Sequence, residues 1–179
     1  MKNNQIRDFI ISYLINHISK NDVVVDATIG NGNDILLLCE LAKFVYGFDI
    51  QNQALETTTN LLKSHHLTNY KLILDSHEHI LDYVKDFKAV VFNLGYLPNS
   101  DKRIKTTKET TLNAINKLIH NMKHNTFILI TCYPGHDEGL IESEALLDYV
   151  GNLSNDFTTL KYNVLNKVRS PFIILIEKI

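Results

Sequence analysis

A run of three β-branched residues ending in a carboxylate, Val23-Val24-Val25-Asp26, restricts this chain more than any other feature. It is followed by Ala27-Thr28-Ile29-Gly30-Asn31-Gly32-Asn33-Asp34 and then by the apolar stretch Ile35-Leu36-Leu37-Leu38. The pattern predicts a strand, a tight turn and a helix start, the opening unit of a doubly wound α/β sheet. Two glycines let the backbone turn sharply and let a ligand approach it. Asp26 falls at the carboxyl end of the strand, where ligands bind in such sheets.

The loop is not a dinucleotide fingerprint, because Ile35 stands where the third glycine of G-x-G-x-x-G is required. Asp26 and Asp34 also place two negative charges beside it, a poor setting for pyrophosphate but a suitable one for an ammonium and a sulfonium. A second acid, Asp49, ends the next β-rich run, Val45-Tyr46-Gly47-Phe48. An acid at this place in nucleotide-binding α/β folds accepts ribose hydroxyls. Carboxylate, G-x-G loop and second acid, in that order, resemble the S-adenosylmethionine (SAM) site of class I methyltransferases. That resemblance implies that Asp26, Asp34 and Asp49 face the cofactor.

Further along, hydrophobic spacing predicts helices near residues 6–17, 34–43, 52–66, 77–83, 106–122 and 138–153, with Thr106-x-x-Glu109 as a capping box for the fifth. Strands are expected at 23–26, 44–48, 71–74, 89–92, 126–132, 158–165 and 172–177. No helix separates the last two, so they must be antiparallel. The expected fold is therefore a doubly wound, seven-stranded, Rossmann-like α/β sheet of the class I methyltransferase type, mostly parallel with an antiparallel C-terminal pair. With 179 residues and no linker-like stretch, residues 1–179 are expected to form one domain.

Candidate site residues cluster just past the predicted strands. Asp75-Ser76-His77 follows the third and lies where an adenine would sit. Asp75 or Ser76 could bond its amine and His77 could stack or donate; alternatively, His77 and His79 simply begin a short helix. Asn93-Leu94-Gly95-Tyr96 follows the fourth strand and resembles the Asn-Pro-Pro-Tyr motif of amino-methylating enzymes. The resemblance implies that Asn93 and the Leu94 carbonyl accept bonds from an amine while Tyr96 stacks on its base. Leu94-Gly95 replaces the two prolines. Tyr133, His136 and Asp137 follow the fifth strand. A protonated amine must lose a proton before it can attack, and His136 has the most suitable ordinary pKa, though it could equally bind phosphate or cap a helix.

Charge distinguishes among partners. The net charge of −2 advertises no general affinity for nucleic acid. Between Asn99 and Asn125, however, six bases (Lys102, Arg103, Lys105, Lys108, Lys117 and Lys123) face only Asp101 and Glu109. Such a segment on an acidic body could steer one anionic partner to one face. No apolar run reaches membrane-spanning length, no leader pattern opens the chain, and Cys39 and Cys132 stand alone in apolar segments. A cytoplasmic protein with buried thiols and no membrane contact is expected. The pairs His65-His66 and His120/His124 have no third or fourth ligand at useful spacing, so no metal is expected.

Taken together, residues 26–34, 47–51, 75–78, 93–98 and 133–139 resemble the YtqB/MnmM family, an older label for which is ribosomal RNA methylase. The resemblance spans nearly the whole chain. It implies a SAM-dependent tRNA methyltransferase that converts the amine of 5-aminomethyl-(2-thio)uridine at the wobble position into its methylaminomethyl form. It also implies a cofactor set of Asp26, Thr28, Gly30, Asn31, Gly32, Asn33, Asp34, Asp49, Gln51, Asp75, Ser76, His77 and Asn93. An anticodon stem-loop would be gripped through Lys102, Arg103, Lys105 and Arg169, since loop bases can be splayed out and read. Ribosomal RNA, a small amine, or a non-catalytic RNA-binding role are the alternatives.

Overall fold

A computed structural model describes residues 5–95 and 106–179. Seven strands form one sheet in the order β3-β2-β1-β4-β5-β7-β6. These are β1 (Val23–Asp26), β2 (Phe44–Asp49), β3 (Tyr70–Leu74), β4 (Ala89–Asn93), β5 (Phe127–Cys132), β6 (Phe157–Asn163) and β7 (Phe172–Lys178). The first five run parallel; β7 enters antiparallel between β5 and β6. This is the expected mixed sheet. The predicted sixth strand ends earlier than expected, at Asn163, because Val164 to Pro171 turn the chain back into β7.

Alternation along the strands builds two cores. Val25, Val90, Phe92, Ile128, Ile130, Ile174 and Ile176 face α4 (Ile80–Tyr83), α5 (Lys108–Asn121) and α6 (Asp137–Gly151). Val24, Ala89, Val91, Phe127, Leu129, Ile173 and Leu175 face α1 (Gln5–His17), α2 (Asn33–Leu41) and α3 (Asn52–Ser64). The central strands, covered on both faces, are therefore nearly all apolar. Each fully buried Ile or Leu among them contributes about 1.5–3 kcal/mol.

The capping box of α5 is shifted by one residue from the sequence expectation. Thr107 caps, with Thr110 as its reciprocal partner. The Thr106 hydroxyl is engaged elsewhere, accepting from the Gly95 amide at 2.8 Å and donating to Glu142 at 3.2 Å.

The chain runs outward from β1 to β3 and then crosses back to β4, which lies beside β1. That reversal opens a crevice at the carboxyl ends of the strands, the place where doubly wound sheets bind ligands. Among the described residues no helix is long and apolar enough to cross a membrane.

Candidate active site

A cleft of about 830 Å³ lies over the crevice. Its lining comes from the tips of β1 to β5, from α1 through Ile6, Arg7 and Ile10, and from the β6–β7 connection through Arg169 and Pro171.

The glycine loop closes tightly. Gly32 has φ of 83°, a left-handed conformation, and a Cβ there would fall 2.8 Å from Thr58 Oγ1 on α3. Gly30 donates its N–H to Asp49 Oδ2 at 3.1 Å, and Gln51 donates to Oδ1 at 3.0 Å. A carboxylate has about four acceptor positions, so Asp49 retains capacity for a ligand hydroxyl. Burial raises its pKa above the usual carboxylate value.

Two expected cofactor contacts are not on the cleft surface. Asp26 is fully buried and lies behind the loop, as Gly32 does. Asp26 Oδ1 accepts the Thr28 N–H at 3.1 Å, while Oδ2 is buried with no hydrogen-bond partner. Burial, then the neighbouring Asp34, pushes its pKa well above the ordinary range. Strand geometry accounts for this: Asp26 pairs with Gly47 on one side and Val91 on the other, still inside the sheet, while the chain turns outward only at Ala27.

Asp75 and Ser76 line the cleft but are committed to local structure. Asp75 accepts from Ser76 N at 2.7 Å and Tyr83 Oη at 2.9 Å, and pairs with His79 Nδ1 at 2.8 Å. The His79 bond leads the interactions that lower its pKa. Ser76 Oγ caps the 3-10 turn at His77–His79 by accepting from Glu78 N at 3.2 Å. His77 is buried and packs edge-on against Phe92. Its Nε2 has no hydrogen-bond partner, and burial pushes its pKa down to about 4. A neutral imidazole does not suit a phosphate, and its unspent nitrogen is itself buried.

Asn93 is held through both its backbone and its side chain. Its backbone N–H donates to Thr28 Oγ1 at 2.7 Å, so Thr28 braces β4 against the β1 loop. The next amide, Leu94 N, donates to Thr131 O at 3.1 Å. The Asn93 side chain donates from Nδ2 to Asp34 Oδ2 at 2.5 Å. A carboxylate only accepts, so the amide must turn its NH₂ toward Asp34 and leave Oδ1 as the acceptor. The other Asp34 oxygen lies 3.8 Å from Arg7 Nη1.

Tyr133 and His136 both reach the cleft. Burial, then the Asp34 charge, raises the Tyr133 phenol's pKa, which keeps it a donor at neutral pH. His136 is the N-cap of α6, its Nδ1 accepting from Gly139 N at 3.0 Å. That nitrogen is thereby spent on the helix start. This geometry favours the capping alternative over the proton-acceptor one. Tyr96, Lys102, Arg103 and Lys105 lie outside the described residues. Asn31, Asn33 and Gln51 line the cleft.

Four site residues were missed in the sequence. Arg7 reaches the cleft from α1, and Ile50, half exposed beside Asp49, supplies an apolar wall. Thr106 and Glu142 tie the site to α5 and α6, with Glu142 also accepting from Thr111 Oγ1 at 2.7 Å. Glu142 was detectable, because it stands on the stripe that continues through Leu146 and Val150 into the core.

A seven-stranded sheet in this order, with an acid at the β2 tip bonded to a glycine loop after β1, is the class I methyltransferase fold. Residues 45–178 match a family described as "Putative rRNA methylase". An Arabidopsis thaliana protein named tRNA (mnm(5)s(2)U34)-methyltransferase, chloroplastic, is 33% identical over 177 residues, covering 90% of this chain. The chain spans 65% of that relative's length. A Streptococcus mutans methyltransferase solved in complex with SAH is 38% identical, with a TM-score of 0.90 over 97% of this chain and 98% of its own. An rRNA methylase structure from Clostridium thermocellum is 35% identical, with a TM-score of 0.93 over 100% and 99% of the two chains. The chain belongs to this rRNA methylase family of class I methyltransferases.

Proposed function

We propose that this protein binds SAM and methylates the amine of 5-aminomethyl-(2-thio)uridine at the tRNA wobble position. The cleft's residues fit SAM in two respects. Asp49, held by the Gly30 and Gln51 amides, retains acceptor capacity for a ribose hydroxyl, and Asp34 lines the cleft as a carboxylate beside the glycine loop, a suitable setting for a cation. When bound, SAM supplies an electrophilic methyl group on a sulfonium.

The chain's own contribution is to hold the nucleophile. The observation that carries the reading is the Asp34–Asn93 bond, which leaves Asn93 Oδ1 as a fixed acceptor at the β4 tip. That oxygen and the Leu94 carbonyl would take two N–H bonds from an amine, so that its lone pair is aimed rather than spent. Both residues line the cleft. Tyr133, kept protonated, would donate at the same site. The plant relative's name supports tRNA as the partner, and the expected grip is on the anticodon stem-loop, whose unpaired bases can be extruded.

The test is to incubate the protein and labelled SAM with tRNA from cells lacking this gene. Label appearing in methylaminomethyl wobble uridine is the expected result. Label only in ribosomal RNA would instead favour the second reading, for which the family's description speaks.

A further inference from the structure

The connection between β6 and β7 carries two large apolar side chains that the fold does not use. Leu165 is 91% exposed and Val168 is 95% exposed. They alternate with Lys167 and Arg169, both exposed. From Leu160 to Pro171 the chain has three cations and no carboxylate. Lys161 sits over the Phe172 ring at 4.4 Å, while Arg169 lies 3.4 Å from the exposed Asp137, a solvent-screened pair of little strength. Arg169 and Pro171 line the cleft, so this turn is continuous with its mouth. Arg7 faces the same cleft from α1.

We infer that the Val164–Pro171 turn is an RNA-docking element, with Lys167 and Arg169 on backbone phosphates and Leu165 and Val168 against an unstacked nucleotide beside the target. This rests on the proposed RNA substrate. Cations without acids suit a polyanion, and apolar side chains fully in water suit the face of an exposed base. A duplex would offer only its phosphates to such a turn, whereas a single-stranded loop presents both surfaces. Placement at the cleft mouth lets the turn hold the strand on either side of a nucleotide drawn inside.

The experiment measures binding of a labelled anticodon stem-loop RNA by fluorescence anisotropy across a salt series, with melting temperature as the fold control. Leu165→Ser/Val168→Ser should weaken binding roughly tenfold through lost apolar contact, with the salt slope unchanged. Lys167→Ala/Arg169→Ala should weaken it about tenfold or more at low salt and flatten the slope by about two phosphate equivalents. Unchanged affinity in both variants overturns the proposal, even if the wild-type protein methylates tRNA. A serine variant that only converts a dimer to a monomer also overturns it and makes the turn a contact between copies. If wild type binds the RNA through these residues but does not methylate it, the turn's role stands and the wobble-uridine reading fails.

Discussion

Asp34 fixes the orientation of Asn93: the Asn93 Nδ2 donates to Asp34 Oδ2 at 2.5 Å, which leaves the amide oxygen as the acceptor. The pair brings together a residue at the start of α2 and one at the end of β4, so the loop that opens the site also aims its acceptor. Asp34→Ala is expected to lower kcat on an amine substrate by about a hundredfold, the scale of a small misplacement. SAM affinity should fall much less. Asn93→Ala should match it, and the double variant should lose little more, because the two act as one unit. Steady-state kinetics and calorimetry with SAM check this.

Asp49 should divide the other way. Asp49→Ala removes a charged acceptor and is expected to weaken SAM binding by roughly tenfold to a hundredfold. Because burial raises the Asp49 pKa, affinity should begin to fall at a pH above the usual carboxylate value as the solution is acidified. Calorimetry across pH reads both effects.

Asp26 makes a stability prediction of opposite sign to the usual acid. Its pKa is raised in the folded chain, so its favourable contribution is complete below the unfolded value and is lost as pH rises through the folded one. Asp26→Asn should therefore melt higher than wild type at neutral pH without ligand. The gap should widen between those two pKa values and then level off. Thermal melting over a pH series measures it.

Two glycines of α6 should respond oppositely to alanine. At Gly139 a Cβ would fall 2.3 Å from the Tyr133 carbonyl oxygen and 2.8 Å from the His136 ring. Gly139→Ala should cost about 1–3 kcal/mol by overpacking the helix start. Gly151 has nothing within 4 Å of its Cβ position, and Gly151→Ala should stabilise by about 0.5 kcal/mol. Denaturant titration distinguishes them.

Glu142 holds Thr106 and Thr111 while Thr106 exchanges two bonds with Gly95. Removing the carboxylate takes away the acceptor of the buried Thr111 hydroxyl, while Thr106 keeps its bond from Gly95. Glu142→Ala is expected to cost about 1–3 kcal/mol and to raise KM for RNA more than it changes SAM affinity. Glu142→Gln should recover most of the stability.

β1, β2 and β4 were legible because apolar, β-rich runs end at Asp26, Asp49 and Asn93, and these are local signals. The cofactor loop was legible in outline, but Asp26's depth was not. The offset between the last paired residue and the first turned one is set by Gly47 and Val91, distant in sequence. Thr106 and Thr107 look alike as caps, and only the long-range claims of Gly95 and Glu142 separate them. His79 and Tyr83, four and eight residues after Asp75, stood at helical spacing and could have shown that its carboxylate was spoken for. Arg7 gave no such signal, since an amphipathic helix does not say which of its charges meets a cleft.

The Phe9 ring lies flat on Tyr162, centroids 4.3 Å apart, and Tyr13 bonds Glu177. These contacts couple α1 to β6 and β7 across the sheet's edge. The strand that leads into the turn beyond β6 is thereby packed against the helix that bears Arg7, whose guanidinium lies 3.8 Å from Asp34. If the turn holds RNA as proposed, the load would fall on the same helix whose arginine meets the acid beside Asn93.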